Sequence, residues 1–246
     1  MLLEGEIALI TGAASGIGRA TAQALAAEGA EVILADNDAE RGEALAEALA
    51  LPARFVAADL AAPDGAATLL DTVLASAPGL SLFVHCASPR RLESEAVLDV
   101  PIEAWDRMVG VNLRAGFVLG QGIGRHMRDA GIRGRLLYVT SLHARTPRNL
   151  PHYSAAKAGL TMTMQELARA LGPHGIRVNA IAPGAIAGGG FQADPRLAAA
   201  IALGRLGTPE DVAQMAVALL VDRFSGYVTG TTIEVDGGLS LYNWLS

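Results

Sequence analysis

Tyr153 and Lys157 stand four residues apart in His152-Tyr153-Ser154-Ala155-Ala156-Lys157-Ala158-Gly159, and together they can move a proton. The segment continues through Leu160, Met164, Leu167 and Leu171 at helical spacing. On a helix, side chains at i and i+4 lie one above the other on the same face. An ammonium held beside a phenol favours the phenolate, because opposite charge stabilises the ionised form. A free tyrosine titrates near ~10, so work near neutral pH requires roughly 3–4 kcal/mol of favourable field on the phenolate. Taken alone, a Tyr-x-x-x-Lys pair is a weak signal, better read as an incidental pair on a surface helix. The elements that would position it decide between the two.

The first of these is Ile7-Ala8-Leu9-Ile10, a short apolar run of the kind a strand buried on both faces shows. It enters Thr11-Gly12-Ala13-Ala14-Ser15-Gly16-Ile17-Gly18-Arg19 and then an Ala-rich helix ending at Glu28-Gly29. Strand, glycine loop and helix together direct helix N-terminal amides at a pyrophosphate. Glycine matters there because a Cβ would hold the backbone away from the phosphates. Strand two, Glu31 to Ala35, ends at Asp36. An acid about twenty positions past such a loop is placed to accept hydrogen bonds from adenosine ribose hydroxyls, and it would repel a 2′-phosphate. Asp36 therefore argues for NAD over NADP, while Asn37 or Asp38 suits the helix N-cap better. Strand three, Arg54 to Ala58, leads to Asp59-Leu60, where the Asp either meets the adenine amine or caps the next helix.

Further strands are expected at Leu80–Cys86, Leu136–Val139, Arg177–Ile181 and Thr231–Val235, with a long helix from Ile102 to Asp129 that contains Asn112. An Asn inside such a helix faces solvent or bonds backbone where the helix is kinked. Strands alternating with helices predict an α/β fold, a doubly wound Rossmann arrangement with a parallel seven-stranded sheet and helices on both faces, over residues 1–246 as a single domain. Ligands then bind outside the carboxyl ends of the strands. Gly12, Asp36, Asp59, Cys86, Ser141 and Pro183 all fall at such ends.

Composition sets outer bounds. The 246 residues are 51% hydrophobic but only 4% aromatic, so the core is built from Ala, Val, Ile and Leu. Apolar stretches break well before twenty residues, so no membrane span is expected. Met1-Leu2-Leu3-Glu4-Gly5-Glu6 shows no secretory pattern, and a cytoplasmic location is expected. Cys86 is the only cysteine, which excludes an intrachain disulfide and a Cys-cluster metal site; no metal is expected. A formal charge of -6 argues against a nucleic-acid partner.

Taken together, these stretches resemble the short-chain dehydrogenase/reductase family over nearly the whole chain, from Thr11 to Gly238. The resemblance implies a cofactor loop at Gly12, Ser15, Gly16, Ile17 and Gly18, NAD selection by Asp36, and adenine contacts at Asp59 and Leu60. It further implies cofactor contacts at Cys86, Ala87, Tyr153, Lys157, Pro183, Gly184 and Ile186. Asn112, Ser141, Tyr153 and Lys157 match the family's catalytic positions. The implied chemistry is hydride transfer between NAD and a secondary alcohol/ketone pair, with Tyr153 exchanging the hydroxyl proton. Lys157 and a bound cationic nicotinamide would favour the phenolate, and Ser141 would position the substrate oxygen. Asn112 would hold a water linking Lys157 to solvent. A 3-oxoacyl thioester reductase or a sugar or polyol dehydrogenase is an alternative within the family, and an NAD-sensing scaffold is the non-enzyme alternative.

Three departures stand out. His85-Cys86-Ala87-Ser88 replaces the family's Asn-Asn-Ala-Gly, leaving Cys86 a backbone contact and giving His85 and Cys86 buried packing roles. Ser141 precedes Tyr153 by twelve residues rather than thirteen; Thr140 satisfies thirteen, but the Ser-x-His pattern favours Ser141. Gly188 stands where a threonine is common, and Gly188-Gly189-Gly190 suggests a short substrate loop. His143, with Arg145, Arg148, Arg90 and Arg91 near the expected pocket mouth, suggests a polar or anionic hydroxy substrate, although Glu93 and Glu95 are at hand to pair with the arginines. A homotetramer is expected through the helices carrying Phe117, Val118, Met162 and Met164, and the apolar tail Leu239–Leu245 is expected to be buried.

Overall fold

The computed structural model describes residues 1–50, 52–90, 96–188 and 195–242. Seven parallel strands form one sheet in the order β3-β2-β1-β4-β5-β6-β7. They are β1 (Ile7–Thr11), β2 (Glu31–Asp36), β3 (Ala53–Ala57), β4 (Leu80–His85), β5 (Arg135–Val139), β6 (Arg177–Pro183) and β7 (Thr232–Val235). Each lies within a residue or two of its expected bounds. Every residue of β4 and β6 is buried, as central strands of a sheet covered on both faces require.

Alternate residues of each strand feed two separate cores, following the period of two along a strand. Ala8, Ile10, Val32, Leu34, Val84 and Leu137 pack under α1 (Gly16–Ala27), α2 (Ala39–Ala48) and α7 (Pro209–Leu220). Leu9, Ile33, Phe83, Leu136 and Tyr138 pack on the other face. That face is covered by α3 (Gly65–Ser76), α5 (Ala115–Asp129) and α6 (Pro151–Leu171). The chain winds outward from β1 through β2 to β3, then returns to place β4 on the other side of β1. The reversal opens a crevice above the carboxyl ends of β1 and β4, where ligands bind in open α/β sheets.

The long helix expected from Ile102 to Asp129 is broken. It consists of α4 (Ile102–Val109), a π-helical turn (Gly110–Arg114) and α5. Asn112 lies inside the turn, fully buried, and its Nδ2 donates to the Met108 carbonyl at 3.0 Å. The side chain thus competes for the carbonyl that the Asn112 backbone N–H would take in an α-helix, which favours a widened turn. In α5, Gly116 and Gly120 let the helix lie close on the sheet. A Cβ at Gly116 would come within 2.8 Å of Leu160 and 3.0 Å of the His85 ring, and one at Gly120 would overlap the Tyr138 hydroxyl.

The residues expected on outward helix faces divide. Phe117 and Met162 are exposed at 43% and 58%, whereas Met164 is fully buried in the core between α6 and the sheet. Met164 falls on the same helix stripe as Leu160 and Leu171, and that stripe points at the sheet. In the tail, Leu239 is buried against Leu142 and Ile201, while Leu241 is exposed. Residues 243–245 lie outside the described residues.

Candidate active site

A cleft of about 920 Å³ runs along the carboxyl edge of the sheet. At one end it is lined by Gly12, Ser15, Gly16, Ile17, Gly18, Asp36, Asp59 and Leu60. Its middle is lined by Cys86, Ala87, Ser141, Tyr153, Lys157, Pro183, Gly184 and Ile186, and His143, Gly188, Leu197 and Leu239 lie at the other end. Tertiary folding thus gathers the expected residues around one cleft, apart from Asn112, which is fully buried and does not line it.

At the glycine loop, Gly12 has φ +68°, and a Cβ there would stand 2.8 Å from Ala87 N and Cα. A Cβ at Gly18 would overlap the Gly12 carbonyl. The loop is therefore as close to its neighbours as backbone can come. Ser15 is the N-cap of α1 but makes no side-chain cap bond, so the first amides of α1 retain donors for an anion. Asp36 accepts from Ala14 N at 2.9 Å and Asp38 N at 3.1 Å, which ties its carboxylate to the loop. Asp38, not Asp36, caps α2, accepting from Arg41 N. Asp59 accepts from Ala61 N at 2.9 Å, closing a turn ahead of α3, whose N-cap position is Asp64. This loop, its helix terminus and the Asp36 carboxylate fit the pyrophosphate and ribose of a dinucleotide.

In the middle of the cleft, Tyr153 and Lys157 project from the first turns of α6, which Pro151 opens. Lys157 is buried; its Nζ donates to Val139 O at 2.8 Å and lies 5.5 Å from the Tyr153 ring centroid. The His143 ring meets the Tyr153 ring edge-on at 5.5 Å. Ser141 caps a single 3₁₀ turn (Leu142–Ala144), its Oγ accepting from His143 N at 3.2 Å. Thr140 satisfies the usual spacing to Tyr153, but its hydroxyl donates to Ile181 O at 3.0 Å, bonding back into the sheet. Its hydroxyl proton is thereby committed. Ser141 Oγ makes no such donation among the described residues, so its proton remains available to a substrate oxygen.

A profile of the family described as enoyl-(acyl carrier protein) reductase matches residues 12–240. The chain belongs to the short-chain dehydrogenase/reductase family. It is 38% identical to a mouse (3R)-3-hydroxyacyl-CoA dehydrogenase, the match covering 96% of this chain and 97% of the relative. It is 36% identical to an L-rhamnose 1-dehydrogenase (NAD(P)(+)) from Azotobacter vinelandii, over 97% and 98% of the two chains. A Serratia marcescens short-chain dehydrogenase/reductase double mutant superposes with a TM-score of 0.89 at 30% identity, covering 98% of this chain and all of that one. As a short-chain dehydrogenase/reductase, the protein is an oxidoreductase acting on hydroxyl or keto groups with a nicotinamide cofactor.

Some charged side chains of this family member lie where the sequence put them, and others do not. Arg90 and Arg148 line the cleft, and so does Arg107 on α4, which linear spacing did not single out. Arg145 instead pairs with Glu234 at 2.5 Å on the surface. Arg91, Glu93, Glu95, Gly189 and Gly190 lie outside the described residues. Cys86 is half-buried, and burial, opposed by Lys157, pushes its thiol up to about 12. His85 is more than packing: both ring nitrogens are bonded, Nδ1 to Thr11 Oγ1 at 2.9 Å and Nε2 to Asn112 O at 3.1 Å. The signal available in the sequence was a lone imidazole in an apolar strand, opposite the residue that ends β1.

Proposed function

We propose that the protein is an NAD-dependent dehydrogenase that interconverts a secondary alcohol and its ketone, with Tyr153 as the general acid and base. The observation that carries this reading is that Tyr153, Lys157 and Ser141 line the same cleft as Asp36 and the glycine loop. A bound nicotinamide supplies the hydride acceptor in oxidation and the hydride donor in reduction. The protein's side chains do the rest.

Ser141 donates a hydrogen bond to the substrate oxygen, which orients the carbinol and stabilises charge as it develops there. In oxidation the Tyr153 phenolate takes the hydroxyl proton; in reduction the phenol returns it to the nascent alkoxide. The Lys157 ammonium, anchored by Val139 O, stabilises the negative charge on the tyrosine oxygen and bonds the nicotinamide ribose. Asn112, buried in the widened turn, would hold a water that leads the proton onward from Lys157. Gly12, Ser15, Gly16, Ile17 and Gly18 hold the pyrophosphate, Asp36 the adenosine ribose, and Asp59 and Leu60 border the adenine. Cys86, Ala87, Pro183, Gly184 and Ile186 flank the nicotinamide half. Repulsion between Asp36 and a 2′-phosphate supports NAD as the cofactor.

The same reading treats residues 1–246 as one cofactor-binding and catalytic domain working in the cytoplasm as a homotetramer, supported by the exposed Phe117 and Met162 on α5 and α6. A 3-hydroxyacyl thioester is a second substrate class to weigh, supported by the 38% identical relative named for that chemistry. Reduced-nicotinamide absorbance with a panel of secondary alcohols, polyols and 3-hydroxyacyl thioesters tests the proposal. Turnover is expected with NAD, and Tyr153→Phe should reduce it at least ~100-fold, the usual scale for losing a general acid–base group. Full activity in Tyr153→Phe would refute the assignment.

A further inference from the structure

His85 sits at the carboxyl end of β4, fully buried, between the strand that enters the glycine loop and the widened turn that carries Asn112. The bonds it makes determine its tautomer. The Asn112 carbonyl can only accept, so Nε2 carries the hydrogen. In the neutral ring Nδ1 is then an acceptor, and the Thr11 hydroxyl donates to it. Thr11 Oγ1 in turn accepts from Ala87 N at 3.4 Å. A single directed chain thus runs from the Ala87 amide through Thr11 and His85 to the Asn112 carbonyl.

The fold makes room for this ring specifically. A Cβ at Gly116 would stand 3.0 Å from His85 Cδ2 and 3.1 Å from Nε2, so a glycine one turn beyond Asn112 is what lets the imidazole reach the carbonyl. The Tyr138 ring closes the other side at 6.1 Å, and its hydroxyl donates to Gly116 O at 3.2 Å. The ionisable groups packed about the imidazole are Tyr138 from β5, Lys157 from α6 and its chain neighbour Cys86. Burial and the positive Lys157 keep the ring neutral, and Tyr138 and Cys86 stay protonated.

We propose that His85 is a positioning residue: its Nε2–H holds the Asn112 carbonyl and with it the widened turn in place, while Nδ1 ties the same turn to the cofactor strand. The proposal rests on the dehydrogenase reading of this cleft. It assigns different work to the two ring nitrogens, and two substitutions separate them. The Gln amide nitrogen in His85→Gln stands close to where Nε2 stood, so it preserves donation to Asn112. His85→Asn reaches only as far as Nδ1, so it preserves the Thr11 link and leaves the Asn112 carbonyl without its donor.

The test has two readouts. The first is the ¹⁵N shift pair of the His85 imidazole in the unsubstituted protein, which reports the tautomer without turnover. A neutral Nε2–H ring throughout pH 5–8 is expected, and an Nδ1–H ring or a charged one overturns the proposal. The second is steady-state kinetics of the two variants with NAD and the best alcohol of the panel. His85→Asn is expected to lower kcat about tenfold and to shift the acidic limb of its pH profile, with KM for NAD changed less than twofold. His85→Gln is expected to stay within about threefold of the original kcat and to keep the original profile. Equal kcat and equal profiles in the two variants would overturn the proposal even if both fold. If no alcohol is turned over by the unsubstituted protein, the dehydrogenase reading fails, while the ring tautomer still decides which nitrogen holds Asn112.

Discussion

Lowering the pH from 7 to 5 should destabilise this protein through His85 in particular. In the folded state burial, with Lys157 adding to it, lowers the imidazole from 6.5 to about 3. A group whose folded-state pKa is depressed contributes stability that is complete above the unfolded value and is lost as pH falls. Below pH 6.5 the unfolded chain binds a proton that the folded chain refuses, so the folded state loses about 1.4 kcal/mol per pH unit until the folded value is reached. At pH 5 the loss from this one ring is about 2 kcal/mol, a large share of a typical domain's stability. Burial of the ring and the Lys157 charge are what keep it neutral, while the bond to the Asn112 carbonyl acts in the opposite direction. Urea unfolding followed by circular dichroism at pH 7, 6 and 5 measures the slope. His85→Gln carries no titrating ring, so the stability difference between the unsubstituted protein and this variant should shift by about 2 kcal/mol over that range, to the disadvantage of the unsubstituted protein. Parallel stability curves for the two proteins would refute the reasoning.

Other consequences follow from the cleft and the outer helices. Asp36 should favour NAD over NADP by more than about tenfold in kcat/KM, and Asp36→Ala should narrow that gap; equal efficiency with both cofactors in the unsubstituted protein would contradict the assignment. Replacing His143 by Ala should raise KM for a polar or anionic hydroxy substrate more than it lowers kcat, the pattern of lost uniform binding, and an unchanged KM would remove His143 from the substrate contacts. Static light scattering at micromolar concentration should return the mass of four chains; the mass of one chain would argue against assembly through Phe117 and Met162.

Much of the site was legible in the linear chain because its chemistry comes in short, locally constrained pieces. The Tyr153–Lys157 pair needs only one helix face, and the glycine loop needs only a strand running into a helix. Asp36 follows from the end of the next strand. Parallel strands buried on both faces are near-continuous apolar runs, so their positions, and with them the crevice at their carboxyl ends, can be read from residue type alone. Periodicity likewise marked a helix through Asn112, but not the widened turn there, because a side chain competing for its own helix's carbonyl leaves no trace in apolar spacing. Nor does spacing say which way a helix face turns. Met164 went to the core while Met162, two residues earlier, stayed outside, and Arg145 turned to Glu234 while Arg107 came to the cleft. The choice between Thr140 and Ser141 depended on the Ile181 carbonyl of the neighbouring strand, 41 residues along the chain from Thr140. The part played by His85 depended on three segments meeting: the end of β1, the turn around Asn112, and a glycine one turn further on. Hydrogen bonds between distant segments are settled by packing, and for that reason only the tertiary structure could show what the one imidazole in β4 bonds.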